Sequence, residues 1–407
     1  MPGGPRFATT VGSTRWIVTL AALTGIVALS IDMSLPAQPT LATRFDVPSE
    51  TAQLTLSLFL IGFAGAQLFV GYLSDAWGRR RVMLGGLALF SVAGVACALA
   101  PNIEVLIACR VLQGIGASAS PVVARAMVRD TQPAAQAARL LSTMLAALAL
   151  APMIGPVIGG VVLRALGWRA IFASLAVCGV ILFALAHATL VETLPPERRA
   201  RASFGGLMRS YGRFFATTGT KLPMLLGCAS FAGQFAYIAD SPFVLMDGYG
   251  VSADYFGFYF AMTAFALMLG SLSGGRLLRA GRSPGVLTVI GASCLLVGGI
   301  AVAIGTRMDI GIAGFMPPMV LYFFGTGIVS PSATAMAMEP VPQIAGTASA
   351  AIGASTMAAG AFAGYETTRI GGSDPTIFAL VVVTMGTLAF VLAITAAVLR
   401  QRRRVLA

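Results

Sequence analysis

The sequence predicts an all-α integral membrane protein with twelve transmembrane helices in two pseudo-symmetric six-helix bundles. Three observations predict it. The 407 residues are 57% apolar and only 10% charged, against about 25% charged in an average soluble domain. The apolar residues fall into twelve long stretches. The basic residues alternate in density between successive loops, as topology requires.

A helix needs roughly 20 apolar residues to cross the hydrocarbon core. In chain order the stretches are Ile17–Ile31, Thr51–Ser74, Val82–Ile103, Val105–Ala124, Leu140–Leu163 and Ala170–Val191. The second set is Leu222–Ala239, Tyr255–Gly275, Ser283–Thr306, Ile310–Met338, Pro340–Tyr365 and Pro375–Leu399. Forty-seven glycines in so apolar a chain suit helices packed backbone to backbone. With both termini cytoplasmic, 21 of the 27 Lys and Arg residues face inward and five face outward, Arg110 lying within the membrane. The net charge of +12 therefore reports orientation, and no nucleic-acid partner is expected. The first span is read as a retained helix rather than a removable signal.

The expected domains are residues 1–190, a cytoplasmic linker over 191–221, a second bundle over 222–399 and a basic cytoplasmic tail over 400–407. The linker's Pro pair and arginine run frame a short surface helix expected near Leu207–Phe215. A weak repeat relates the halves: Gly71 and Gly78-Arg79 match Gly274 and Gly281-Arg282 at one offset of 203.

Several chemistries lack their residues. Lys221 is the single lysine and is followed by leucine, so the chain has no phosphate-binding Gly-Lys-Ser/Thr loop. The lone His187 leaves no histidine pair for a metal and is read as structural. Cys97, Cys109, Cys178, Cys228 and Cys294 each lie within a span and read as small apolar residues. No enzyme activity, cofactor or metal is expected.

Two intramembrane charges need a reason. Asp32 counts about 24 Å across the core from Trp16, deep in the outer half; the bland alternative places it among headgroups beside Pro36 and Pro39. Arg110 lies about 9 Å inside the outer face, facing the bundle interior or, on the other reading, the outer mouth. Neither tolerates burial alone. A buried carboxyl holds its proton and one beside a cation gives it up, so Asp32 moving relative to Arg110 would couple transport to protons. Asp240 and Glu366 count to outer helix ends and read as mouth residues. In the loop Gly71–Arg81, the glycines permit a tight turn, and Asp75 can cap a helix or pair with Arg125 or Arg129. That loop reads as a conformational latch or as a solvated basic turn. In the fifth span Gly155 and Gly159 form a small-residue face, while Pro152 and Pro156 bend the helix; packing and hinge roles are compatible. Gly360 and Gly364 form another such face, read as packing.

These residues together resemble the major facilitator superfamily. Gly71-x-Leu73-x-Asp75-x-x-Gly78-Arg79-Arg80 is similar to its signature loop, with Ala76 where arginine is usual. Arg110-x-x-Gln113-Gly114-x-Gly116 is similar to the span-four motif implicated in proton transfer. Gly155-Pro156-x-x-Gly159-Gly160 is similar to the span-five motif of antiporters. Asp32-Met33-Ser34-Leu35-Pro36-Ala37-x-Pro39 resembles the span-one ending of Bcr/CflA-type drug:proton antiporters, as does Tyr237-Ile238-Ala239-Asp240-Ser241-Pro242-Phe243-Val244 in span seven. The resemblance implies a monomer in the bacterial inner membrane that exports small amphipathic compounds against protons. It also implies a central cavity, with Asp32, Tyr237 and Phe243 as wall residues. The competing expectation is proton-coupled uptake of a nutrient or organic anion. A membrane-embedded enzyme or sensor is a further alternative, for which His187 leaves little material.

Overall fold

The computed structural model describes residues 11–199, 204–371 and 374–406; Arg6 and Arg201 of the basic count lie outside them. Every regular element among the described residues is helical. The first half comprises α1 (Thr14–Asp32), α2 (Gln38–Phe45), α3 (Ser49–Trp77), α4 (Arg79–Ala98), α5 (Ile103–Ala117), α6 (Ala119–Thr131), α7 (Ala134–Leu166) and α8 (Trp168–Thr189). The linker carries α9 (Phe204–Ala216). The second half comprises α10 (Thr218–Pro242), α11 (Ala253–Arg279), α12 (Pro284–Arg307), α13 (Ile312–Met338), α14 (Ala345–Gly371) and α15 (Pro375–Leu406).

Three expected spans are each built from more than one helical element. The first is broken: a 3-10 turn at Leu35–Ala37 joins α1 to α2, and the run continues to Phe45. Pro36 and Pro39 each stand in a first turn, where a missing N–H costs nothing. The fourth is α5 and α6 in sequence, hinged at Ser118. The seventh continues from α10 into a π-helical turn over Phe243–Gly248. Ten runs are apolar and long enough to cross a membrane, and α7 and α14 complete the twelve. The last span and the basic tail form one helix.

Packing repeats between the halves. In the first, α1 packs on α7, α3 on α5 and α4 on α8; in the second, α10 packs on α14, α11 on α13 and α12 on α15. This is the internal symmetry at the level of contacts. The short loops repeat too: Gly78 and Gly281 both hold φ near +90°, at +97° and +83°, a left-handed region open to glycine. The halves meet along two seams, α3 with α14 and α7 with α11.

Close approach depends on missing side chains. A Cβ on Gly114 would strike the Phe59 carbonyl, and one on Gly159 the Met33 carbonyl. Large apolar residues such as Val92, Leu99, Val177 and Leu380 point outward, as a lipid-facing belt requires.

The linker helix spans both halves on the face that carries it. Tyr211 Oη donates to the Leu68 carbonyl of α3 at 2.7 Å, and Phe204 stacks on Phe69. Burial pushes the Tyr211 phenol up to about 12, so it stays a donor at physiological pH. Phe214 inserts among Ala337, Val341, Ala348, Ala351 and Ile352 of the second half. The surface helix expected near Leu207–Phe215 is present, with its apolar arc docked. Gly159→Val is expected to lower the thermal midpoint of detergent-purified protein by several degrees, equivalent to about 1–3 kcal/mol of overpacking, while Gly71→Ala leaves it unchanged because a Cβ there meets open space.

Candidate functional site

The site begins where α1 stops. After Asp32 the helix breaks, and the Ser34 amide bonds the Ile31 carbonyl instead of Ser30's. The Ser30 carbonyl thereby loses its ordinary i+4 backbone donor, in a place where no water can replace it cheaply. The Ser34 hydroxyl, at 3.2 Å, and Arg110 fill the gap. The arginine's Nη2 donates to the Ser30 carbonyl at 3.2 Å, its Nε to the Thr55 carbonyl at 3.1 Å and its Nη1 to Gln113 Oε1 at 2.7 Å. Its guanidinium carbon sits 4.3 Å from the Phe59 ring centroid and 5.6 Å from that of Phe172. Arg110 is fully buried, on the interior face of α5. Neutral oxygens and aromatic faces hold the charge.

Asp32 is 3% exposed, inside the protein rather than among headgroups. It is not the partner of Arg110: no ion pair joins them among the described residues. Ser30 and Ser34 share the helix face toward Arg110, and Asp32, two residues from each, points away toward α7. There a Cβ on Gly155 would lie 2.7 Å from Asp32 Cβ. Asp32 Oδ2 has no hydrogen-bond partner. The glycine face of α7 thus receives the break in α1, with Gly155 against Asp32, Gly159 against Met33, and Pro156 buried between them. The expected juxtaposition of acid and cation becomes two sides of one helix end.

The opposite face of α7 reaches the second half. A Cβ on Gly160 would approach the Ala253 carbonyl, and one on Gly257 the backbone of Val157. Arg164 pairs with Asp254 at 2.8 Å. On the other seam, Ser57 Oγ donates to the Ala361 carbonyl at 2.7 Å, and Gly364 lies against Gln53 and Ala239. These contacts join the halves on the face opposite the linker.

The loop between α3 and α4 is a cross-braced turn. Arg79 pairs with Asp75 at 2.5 Å and, through Nε, with Asp130 of α6 at 2.9 Å. Asp75 was expected to meet Arg125 or Arg129; the acid Asp130 instead brings α6 to Arg79. Glu192, just after α8, accepts from the backbone amides of Arg79 at 2.9 Å and Arg80 at 3.3 Å. It neutralises the amide end of α4. Arg80 donates to the Leu190 and His187 carbonyls, which leaves His187 a structural residue at a helix end. A Cβ on Gly78 would strike the Glu192 carboxylate. Gly71 has no such neighbour and lies within α3 rather than in the turn, which Gly78 alone makes. Asp130 and Glu192 carry no local motif, so spacing could not single them out.

Tyr237 and Phe243 are not the expected cavity walls. Tyr237 is fully buried among Phe260, Phe315, Phe323 and Phe378, with centroids 5.1–6.4 Å away. Its position on α10 turns it toward α11, α13 and α15, inside its own half. Phe243 is 1% exposed at the start of the π-helical turn. Asp240 is likewise not at a mouth: α10 runs beyond Ala239 and the carboxyl is fully buried. Glu366 does lie near a helix end, paired with Arg369 at 2.6 Å.

A family model described as Major Facilitator Superfamily matches residues 20–365. The MFS-type transporter YdgK of Bacillus subtilis is 33% identical over 83% of this chain and 85% of its own length. A chloramphenicol resistance protein of Pseudomonas aeruginosa is 32% identical, covering 80% and 77%. A bicyclomycin resistance protein homolog of Haemophilus influenzae is 29% identical, covering 86% and 87%. Among solved structures, a peptide transporter shares the fold at a TM-score of 0.77 with 13% identity, over 97% of this chain and 96% of that one.

Gly78→Ala is expected to destabilise the protein by about 1–3 kcal/mol, since the left-handed backbone penalises a side chain, and to broaden its thermal transition. Arg110→Met is expected to lose more folded protein on size-exclusion chromatography than Arg125→Met, because it unties α1 and α3 from α5 and leaves Gln113 Oε1 without its donor. The matched family model and the shared six-plus-six packing lead to one conclusion: this chain belongs to the Major Facilitator Superfamily, in the Bcr/CflA type that its first and seventh spans resemble.

Proposed function

We propose that the protein exports small amphipathic compounds, antibiotics among them, in exchange for protons, by rocking its halves about the α3–α14 and α7–α11 seams. The observation that carries this reading is Asp32: a buried carboxyl with a free oxygen, set at a helix break against the glycine face of α7. The opposite face of the same helix touches α11 of the other half, so a shift of α7 at that seam moves its glycines against the acid. Rearrangement of the seam therefore changes the surroundings of the acid. In the packed state the carboxyl has neither cation nor donor at Oδ2, which favours the protonated form. When the far-face contacts part, water reaches it and the proton leaves. Arg110 acts on the same helix end as a positioning residue, holding Ser30 and Ser34 while Asp32 changes occupancy.

The names of the drug-resistance relatives support export of antibiotics. The Gly-Pro face of α7 supports exchange over symport through the family resemblance. In this reading the two bundles are residues 1–190 and 222–399, joined by the cytoplasmic linker 191–221. The protein lies as a monomer in the bacterial inner membrane with both termini inside, and the 21-to-5 basic bias supports that orientation. The Gly71–Arg81 turn with Asp75, Arg79, Arg80 and Glu192 is the latch on the linker face. The driving force is ample: about 2.3 kcal/mol per charge per 100 mV and about 1.4 kcal/mol per pH unit.

Inverted membrane vesicles given an imposed pH gradient test the proposal with chloramphenicol, bicyclomycin and a panel of cationic dyes. Uptake into the vesicles that collapses with the gradient is the expected result. Asp32→Asn is expected to cut gradient-driven uptake at least 100-fold while purifying like the parent. Full gradient-driven uptake by that variant would remove Asp32 from the mechanism.

A further inference from the structure

The second half also carries an acid near the C-terminal end of its first span. Asp240 lies in the last turn of α10, two residues before its end at Pro242, whereas Asp32 ends α1. Both are followed within four residues by a proline, at Pro242 and Pro36, and by irregular helix, a π-helical turn in one case and a 3-10 turn in the other. Both lie beside the fifth span of their own half. Asp32 sits against Gly155 of α7; the neighbour of Asp240, Ala239, sits against Gly364 of α14, and Asp240 Oδ1 accepts from Thr368 Oγ1 of α14 at 2.9 Å. Asp240 is fully buried, and its Oδ2 has no hydrogen-bond partner. The two acids thus share the first span of a half, a partner in the fifth span and an unsatisfied oxygen, at different depths along the span.

We infer that Asp240 is a second proton-exchange site of the transport cycle, beside Asp32, so that each turnover carries two protons. This rests on the antiport reading above. A buried ionised carboxylate with one hydroxyl donor and a bare second oxygen is costly, so the closed state holds the neutral acid. The elements around it carry few charges. Glu366 and Arg369 on α14 pair with each other; Glu50 begins α3 and Asp247 lies on the π-helical turn. Neither α13 nor α11 bonds a charge to it, and none of these groups pairs with Asp240. Its layer adjoins the α3–α14 seam, where Gln53 and Ser57 of the first half meet Gly364 and Ala361 of the second. Opening that seam is what exposes Asp240 to water. No bond other than O–H is made or broken: the acid gives its proton to water on one face and takes one from water on the other.

Infrared difference spectroscopy of the reconstituted protein, with the bathing pH stepped from acid to alkaline, tests this without any drug. The parent is expected to show two titrating protonated-carboxyl bands. Asp240→Asn removes one and Asp32→Asn the other. Thr368→Val, which keeps the carboxyl and removes its donor, shifts the Asp240 band alone and covers failure of Asp240→Asn to fold. A spectrum left unchanged by both Asp240→Asn and Thr368→Val overturns the inference. In proteoliposomes given a pH gradient and chloramphenicol, loss of one of two coupled protons lowers the limiting concentration ratio from about 100-fold to about 10-fold per pH unit. The same ratio in parent and Asp240→Asn overturns the inference too. If the parent builds no drug gradient at all, the antiport reading fails, while the infrared result still decides whether Asp240 exchanges protons.

Discussion

The charge of Arg110 is held by oxygens that belong to no acid. A membrane interior leaves each backbone polar group to find its partner within the protein, and the break after Asp32 sets the Ser30 carbonyl loose. Arg110 donates to it together with the Ser34 hydroxyl, and reaches Thr55 and Gln113 with its remaining nitrogens. Three helices, α1, α3 and α5, are thereby pinned at one depth. Once that side of α1 is committed to Arg110, the other side must face α7, and Asp32 goes with it. The glycines of α7 are the steric condition for that packing, because a methyl group at 155 or 159 would occupy the space of Asp32 or Met33.

A cation pinned by neutral oxygens and an acid left without a donor are opposite electrostatic situations a short distance apart along one helix. The arginine is satisfied in place and has little reason to move. The carboxyl is unsatisfied, and its protonation depends on what the seam between the halves admits. Burial of both without mutual pairing separates the positioning role from the exchanging role. The linker face shows a different economy: Arg79, Arg80, Asp75, Asp130 and Glu192 form a partly exposed network in which each charge has partners. Such a network can be remade at small cost when helices shift.

Much of the fold was legible in the sequence because lipid is an unforgiving solvent. Span number, the linker helix and the pairing of the two short glycine loops followed from apolar runs and charge. The candidate site was legible in part. Asp32 and Arg110 stand out as charges inside apolar stretches, and both are buried. Asp240 was misplaced because the apolar run ends at Ala239, whereas the helix continues through Pro242. Tyr237 was misread because aromatic chemistry suits a ligand wall and an internal cluster equally well, and only the rotation of α10 distinguishes them.

The sequence by itself determined that this chain crosses a membrane, how many times, and which residues pay a penalty for being there. Those are one-dimensional properties: hydropathy, spacing and charge count do not depend on neighbours. Tertiary structure decided which face each charged residue presents. It turned Asp32 from Arg110 toward α7, gave Arg79 to Asp130, and brought Asp240 to Thr368 across 128 residues. Such pairings depend on helix rotation and crossing, which are set by the packing of all twelve helices at once.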